Sequence, residues 1–215
     1  MSDITLWGGG TSRTFRAHWM LHELDLPYEK HLIASRTGET QTSEFTKLNP
    51  RQKIPVLQDG DLTIAESGAI MNYLATNYGE ETNLIPPEKS KSRALYDQWC
   101  FFIAMELDAH TLYVMRKHRD LAQLYGEAPK AIDAAIEGFN KQVAVAELEL
   151  SRVDGPYLLG EHFTGADMFL STCLEWAHLY GITVSSSFND YRERLKSRPA
   201  YQTAFKLNFS VNPGM

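Results

Sequence analysis

Over roughly the first eighty residues, strand-like and helix-like patterns of apolar positions take turns; beyond them the strand signal nearly vanishes. Ile4, Thr5, Leu6 and Trp7 form a short strand candidate, stopped by Gly8, Gly9 and Gly10. Ala17, Met20, Leu21 and Leu24 then fall at i, i+3, i+4 and i+7, the spacing of one helix face. That helix must stop by Asp25-Leu26-Pro27, because the residue before a proline avoids the α region. Residues 28–33 read as a second strand, 34–43 as a polar stretch, and 44–48 as a short helical turn broken by Asn49-Pro50. Ile54-Pro55-Val56-Leu57 is a third strand with its proline at the start, where a missing donor is tolerable. Asp59-Gly60 signals a hairpin turn, Leu62-Thr63-Ile64 the return strand, and Ile70, Tyr73 and Leu74 a helix running to about Tyr78. The order is β-α-β-α-β-β-α.

Residues 79–89 are polar and carry Pro86-Pro87, as a linker does. After them come helical regions at 90–119, 131–153 and 165–180, the last so apolar on most sides that it must be buried. Residues 189–208, interrupted by Pro199, read as two short helices. The expected organisation is therefore an α/β domain over 1–80, a linker over 81–89 and an all-helical domain over 90–215.

Composition narrows the classes of function. At 215 residues the chain suits one or two domains, and 43% hydrophobic residues supply a core, which excludes whole-chain disorder. A net charge of -6 gives no overall pull on nucleic acid or an anionic membrane. No targeting segment or spanning stretch is visible, so a cytoplasmic location is expected, with no nucleic-acid or membrane partner. Cys100 and Cys173 sit in apolar helical contexts without a C-x-x-C and read as reduced thiols.

Three local features of the first domain point to one site. The first is Gly8-Gly9-Gly10-Thr11-Ser12-Arg13, which joins a strand to a helix whose exposed N–H groups favour an anion or a developing thiolate. The same hydroxyls also suit a plain N-cap. The second is Ile54-Pro55. Were that bond cis, the Ile54 backbone would face outward, free to pair with an extended peptide ligand; a trans edge proline is the other reading. The third is Glu66-Ser67 at the start of a helix. Ser67 either caps the helix or joins its N–H groups in holding a ligand carboxylate, with Glu66 on a ligand ammonium.

Residues 11–16, 44–57 and 65–70, together with Phe163-Thr164-Gly165-Ala166-Asp167 in the second domain, resemble the cytosolic glutathione transferases, specifically the bacterial-type class with a serine or threonine active site. The resemblance spans essentially the whole chain. It implies a thioredoxin-like N-terminal domain and an all-α C-terminal domain, with Thr164 and Asp167 forming a capping box on the buried helix. It also implies that glutathione is co-substrate, that Ile54 pairs with its cysteinyl backbone and that Pro55 is cis. Glu66 and Ser67 would hold the γ-glutamyl end, and Lys53 would lie near the glycyl carboxylate. Ser12 matches the activating hydroxyl, with Thr11 ranked behind it. Tyr113 and Arg116 would line the second-substrate pocket. A homodimer and a small electrophilic partner are implied, and no metal.

Two departures stand out: Gln52 replaces a frequent glycine, and the triple glycine suggests a loose loop. No cysteine occupies residues 10–14, which lowers a disulfide-reductase reading. His18 and His22, at i and i+4, read as a surface helix face, since no carboxylate completes a chelating motif. Arg116-Lys117-His118-Arg119 reads as a solvated helix end, and Tyr96, Trp99, Phe101 and Phe102 as core or dimer contact. The expected function is glutathione transfer. The alternatives are a glutathione-dependent isomerase, dehalogenase or peroxidase, and a non-catalytic binding or assembly module on the same fold.

Overall fold

The computed structural model describes residues 3–211. Contacts divide them into two units, one running to Thr82 and resuming at Lys196, the other covering Asn83–Leu195. This differs from the domain bounds read off the sequence, in which 196–215 belonged to the helical domain.

In the first unit, strand β1 (Ile4–Trp7) leads to helix α1 (Ser12–Glu23), strand β2 (Glu29–His31), helix α2 (Ser43–Leu48), strands β3 (Val56–Asp59) and β4 (Leu62–Ala65), and helix α3 (Ser67–Tyr78). The sheet order is β2-β1-β3-β4. β1 and β2 are parallel, as the α1 crossover requires, while β3 is antiparallel to both β1 and β4. The hairpin register pairs Asp59 with Leu62, leaving Gly60 and Asp61 as a two-residue turn with Gly60 at φ 57°. β2 is shorter than the strand expected over residues 28–33 because only residues 29–31 find partners on β1. β3 begins after Pro55 rather than at Ile54.

The last helix, α10 (Pro199–Asn208), packs on α1, and α1 packs on α3. Its attachment is aromatic. Phe15 meets Tyr201 edge-on at 5.0 Å and Phe205 at 5.8 Å, and Trp19 meets Tyr201 at 4.8 Å. Arg198 grips Glu23 with two hydrogen bonds of 2.6 and 2.7 Å. A tail read as part of the helical domain is thereby held to the first unit.

The second unit holds α4 (Lys91–Phe102), α5 (Tyr113–His118), α6 (Ala122–Tyr125), α7 (Pro129–Ser151) and α8 (Gly165–Leu179), and nearly all of α9 (Ser186–Lys196). Between α4 and α5 the chain keeps turning, but Ile103–Leu112 takes the wider π-type turn. α8 is the buried helix expected from its composition, with Met168, Leu170, Cys173, Leu174 and Ala177 fully covered. Its start is anchored by Asp167. One carboxylate oxygen accepts from the Thr164 N–H (2.8 Å) and hydroxyl (2.9 Å), the other from Leu158 N–H (2.9 Å) and Tyr191 O–H (2.7 Å). Burial pushes this carboxyl upward in pKa, against those four donors. Among the described residues no helix is long and apolar enough to cross a membrane.

Candidate functional site

The loop between β1 and α1 is bound on all sides rather than loose, which corrects the reading of its glycines. Gly8 N–H donates to His31 O (2.8 Å), Gly9 N–H to Ile33 O (2.9 Å) and Gly10 N–H to Asn208 O (2.8 Å). Glycine is required at Gly8, where φ is 124° and a Cβ would sit 2.7 Å from both Ile54 Cβ and Thr14 Cγ2. The close approach also sets Ile54 directly against this loop.

The two candidate hydroxyls are used differently. Thr11 is the N-cap of α1: its Oγ1 accepts from Thr14 N–H at 3.1 Å, and Thr14 Oγ1 accepts from Thr11 N–H at 3.1 Å, a capping box built with threonine. Thr11 Oγ1 also lies 3.0 Å from Thr14 Oγ1. Ser12 is the first residue of the helix, half-buried, and its hydroxyl makes no hydrogen bond among the described residues.

His18 stiffens the loop from below. Its Nε2 lies 3.0 Å from Gly8 O and its Nδ1 2.7 Å from Tyr28 Oη. A carbonyl only accepts, so Nε2 carries the proton and Nδ1 accepts from the tyrosine. Burial, with smaller contributions from His22 and Lys30, lowers the His18 pKa to about 4 despite the Gly8 bond. His18 is thus a buried neutral clamp, not the surface residue expected.

The second feature lies at the start of β3. Ile54-Pro55 is cis. Ile54 precedes the β3 ladder, and its backbone N–H and C=O make no hydrogen bond among the described residues. Before it, Asn49 Nδ2 donates to Lys53 O at 2.8 Å, and Lys53 is exposed. Gln52 stands at φ 52°, the left-handed conformation that explains why glycine is common at this place; its amide donates to Thr46 Oγ1 at 3.1 Å.

The third feature heads α3. Glu66 is the N-cap residue with φ 73°, and Arg51 Nη1 donates to its carboxylate at 2.8 Å. Both side chains are largely exposed, so the ion pair contributes little to stability. Ser67 is buried, with Arg16 Nη1 3.5 Å from its Oγ. Arg16 itself is 1% exposed, a guanidinium held inside the first unit next to the N-terminus of α3. Loop 8–12, Ile54 and Ser67 are thereby gathered around α1. Arg16, His18 and Asn208 were not singled out for this site from sequence; Asn208 reaches it from about 200 positions away.

Tyr113 and Arg116 lie on α5 in the second unit, half-buried, with the Lys117 ammonium 5.2 Å from the Tyr113 ring and 5.7 Å from that of Tyr125. In α4, Tyr96 and Trp99 are core, while Phe101 is exposed. Both cysteines are free, and burial pushes the Cys100 thiol up to about 12, so it is not a nucleophile at neutral pH.

Residues 2–76 match the family model for the glutathione S-transferase N-terminal domain, and residues 122–200 the model for the C-terminal domain. The chain is 30% identical to the glutathione S-transferase GstB of Escherichia coli K12, over 96% of this chain and 100% of that protein. Among solved structures, a theta class glutathione S-transferase from Xanthomonas axonopodis pv. citri, crystallised with glutathione bound, matches with a TM-score of 0.79 and 27% identity over 95% of this chain and 97% of that one. The fold is shared with the glutathione transferase URE2P6 from Phanerochaete chrysosporium, in complex with oxidized glutathione, at a TM-score of 0.85 and 23% identity over 98% of both chains. Domain models over both halves, an overall likeness across the whole chain and the four-stranded sheet flanked by helices agree: this protein belongs to the glutathione S-transferase family.

Proposed function

We propose that the first unit binds glutathione, and that Ser12 holds its sulfur as a thiolate for attack on a small electrophile. This makes the protein a transferase of the serine class. The observation that carries the reading is the division of labour at the start of α1: the Thr11 hydroxyl is tied into the capping box, while the neighbouring Ser12 hydroxyl is uncommitted.

The remaining groups suit the rest of the tripeptide. Ile54 offers one N–H and one C=O to an extended backbone. Ser67 and the free N–H groups of α3 suit the γ-glutamyl carboxylate, with buried Arg16 adding positive potential behind them. Glu66 can exchange its exposed Arg51 partner for the ligand ammonium. Lys53 is exposed and available to the glycyl carboxylate. Tyr113 and Arg116 are assigned to the electrophile, and a cytoplasmic homodimer remains the working assembly.

Magnitudes support the chemistry. A thiol of pKa about 8.5 is only ~3% ionised at pH 7. Making most of it thiolate needs a shift of about 2 units, or roughly 2.7 kcal/mol. A hydroxyl donating to a charged acceptor contributes about 1.5–3 kcal/mol and a helix N-terminus about 0.3–1 kcal/mol, which together suffice.

Substitution separates the two hydroxyls. Ser12→Ala is expected to lower kcat/KM with a chloronitroarene at pH 7 by about tenfold or more, with glutathione affinity within about threefold of wild type. Thr11→Ala is expected to cost about 1 kcal/mol of stability as a lost N-cap, with the pH–rate profile in place. Unchanged turnover in Ser12→Ala, or a displaced profile in Thr11→Ala alone, would count against the assignment.

A further inference from the structure

We propose that Asn208, at the end of α10, is a positioning residue for the thiolate-stabilising turn of α1, acting through Thr11 and Thr14. The inference rests on the glutathione reading above and extends it to a residue at the far end of the chain.

Asn208 is fully buried, and both ends of its side-chain amide are spent on this turn. Its Nδ2 donates to Thr11 O at 3.1 Å, its Oδ1 accepts from Thr14 Oγ1 at 2.7 Å, and its backbone O accepts from Gly10 N–H at 2.8 Å. The orientation of the Asn208 amide is fixed by its partners. Thr11 O can only accept, so the amide must turn its NH2 toward it and its oxygen toward Thr14. The Thr14 hydroxyl has one proton and two acceptors, Asn208 Oδ1 at 2.7 Å and Thr11 O at 2.9 Å, of which Asn208 is the nearer. Its oxygen accepts from Thr11 N–H at 3.1 Å and lies 3.0 Å from Thr11 Oγ1. Thr11 Oγ1 thus faces into this cluster, accepting from Thr14 N–H and lying 3.0 Å from Thr14 Oγ1, while the next hydroxyl along, Ser12, makes no hydrogen bond among the described residues.

The contact is close enough to transmit position. A Cβ on Gly9 would lie 3.1 Å from Val211 Cγ2 and 3.6 Å from Asn208 O, so the loop and the end of α10 are in close contact. Without the Asn208 amide, Thr11 O and the Thr14 hydroxyl lose their shared partner. Thr14 then keeps only Thr11 O, 2.9 Å away, as its acceptor, and the carbonyl that opens α1 is no longer held by α10. The charged and titratable side chains on the elements meeting here are Arg13, Arg16, His18, His22 and Glu23 of α1, Glu29, Lys30 and His31 of β2, Tyr201 and Lys206 of α10, and Arg198 just before it. An uncharged replacement of Asn208 leaves all of them in place.

The test compares the wild type with Asn208→Leu, which keeps the bulk, and Asn208→Ser, which is smaller and milder. Thr203→Val, on the exposed side of α10, is the control. The readouts are the titration midpoint of bound glutathione, followed by thiolate ultraviolet absorbance, the glutathione Kd by calorimetry, and the unfolding midpoint. In Asn208→Leu the thiol midpoint is expected to rise by about one unit. That lowers kcat/KM about tenfold on the acid side, with rates converging at high pH and Kd within about threefold. Asn208→Ser should show a smaller rise and Thr203→Val none. A merely structural residue would lower the unfolding midpoint and leave the thiol titration where it was; that result in either folded Asn208 variant overturns the inference. Should Asn208→Leu not fold, the titration of Asn208→Ser decides. A wild-type thiol no more acidic than free glutathione would instead refute the glutathione reading itself, an outcome visible before any variant is made.

Discussion

At the scale of single residues, His18 shows how one buried side chain ties local chemistry to stability. Its imidazole is neutral because burial holds its pKa at about 4, against 6.5 for the free side chain. Between these values the unfolded chain takes up a proton that the folded chain does not. Stability attributable to this group is therefore complete above pH 6.5 and lost as the pH falls toward 4. The loss amounts to roughly 3 kcal/mol at most. Denaturant unfolding at several pH values should show this slope in the wild type and a shallower one in His18→Gln, where no ring titrates. Equal slopes would mean that His18 is not the acid-sensitive group. Nothing at positions 18 and 22 disclosed this from sequence, because an i, i+4 pair of histidines looks the same on a surface as beneath a loop. The hydroxyls at 11 and 12 were legible as a pair, but which of them closes the capping box was not.

At the scale of elements, local pattern carried most of the information. The strand starting near Pro55, the two-residue turn after Asp59, the buried α8 and the break at Pro199 all follow from spacing and turn chemistry that act within a few residues. The cap of α8 belongs to the same class, and it is testable. Replacing Asp167 by alanine strands the Leu158 N–H, the Thr164 N–H and hydroxyl and the Tyr191 O–H. The expected cost is about 3 kcal/mol in equilibrium unfolding, and a loss below about 1 kcal/mol would show that the carboxylate is not the anchor described. The π-type segment Ile103–Leu112 was illegible by contrast. The apolar spacing of residues 90–119 suits one continuous helix, and a slip in hydrogen-bond register leaves no mark in composition.

At the scale of the whole molecule, the chain's end mattered more than its pattern suggested. An amphipathic helix near the C-terminus reads as one more helix of a helical domain. Only the shape of its partner decides otherwise: Phe15 and Trp19 on α1 receive Tyr201 and Phe205, and Glu23 receives Arg198. Contacts separated by almost the full chain length leave no trace in local periodicity, which is why Asn208 was invisible beside Ser12. The proposed chemistry nevertheless depends on one placement, that of the glutathione sulfur at the opening of α1. A crystal structure of the protein with reduced glutathione tests it most directly. The sulfur is expected within hydrogen-bonding reach of Ser12 Oγ, the cysteinyl backbone paired with Ile54, and the Thr11 hydroxyl still against Thr14. A sulfur facing Thr11, or lying away from residues 11–12 altogether, would contradict it.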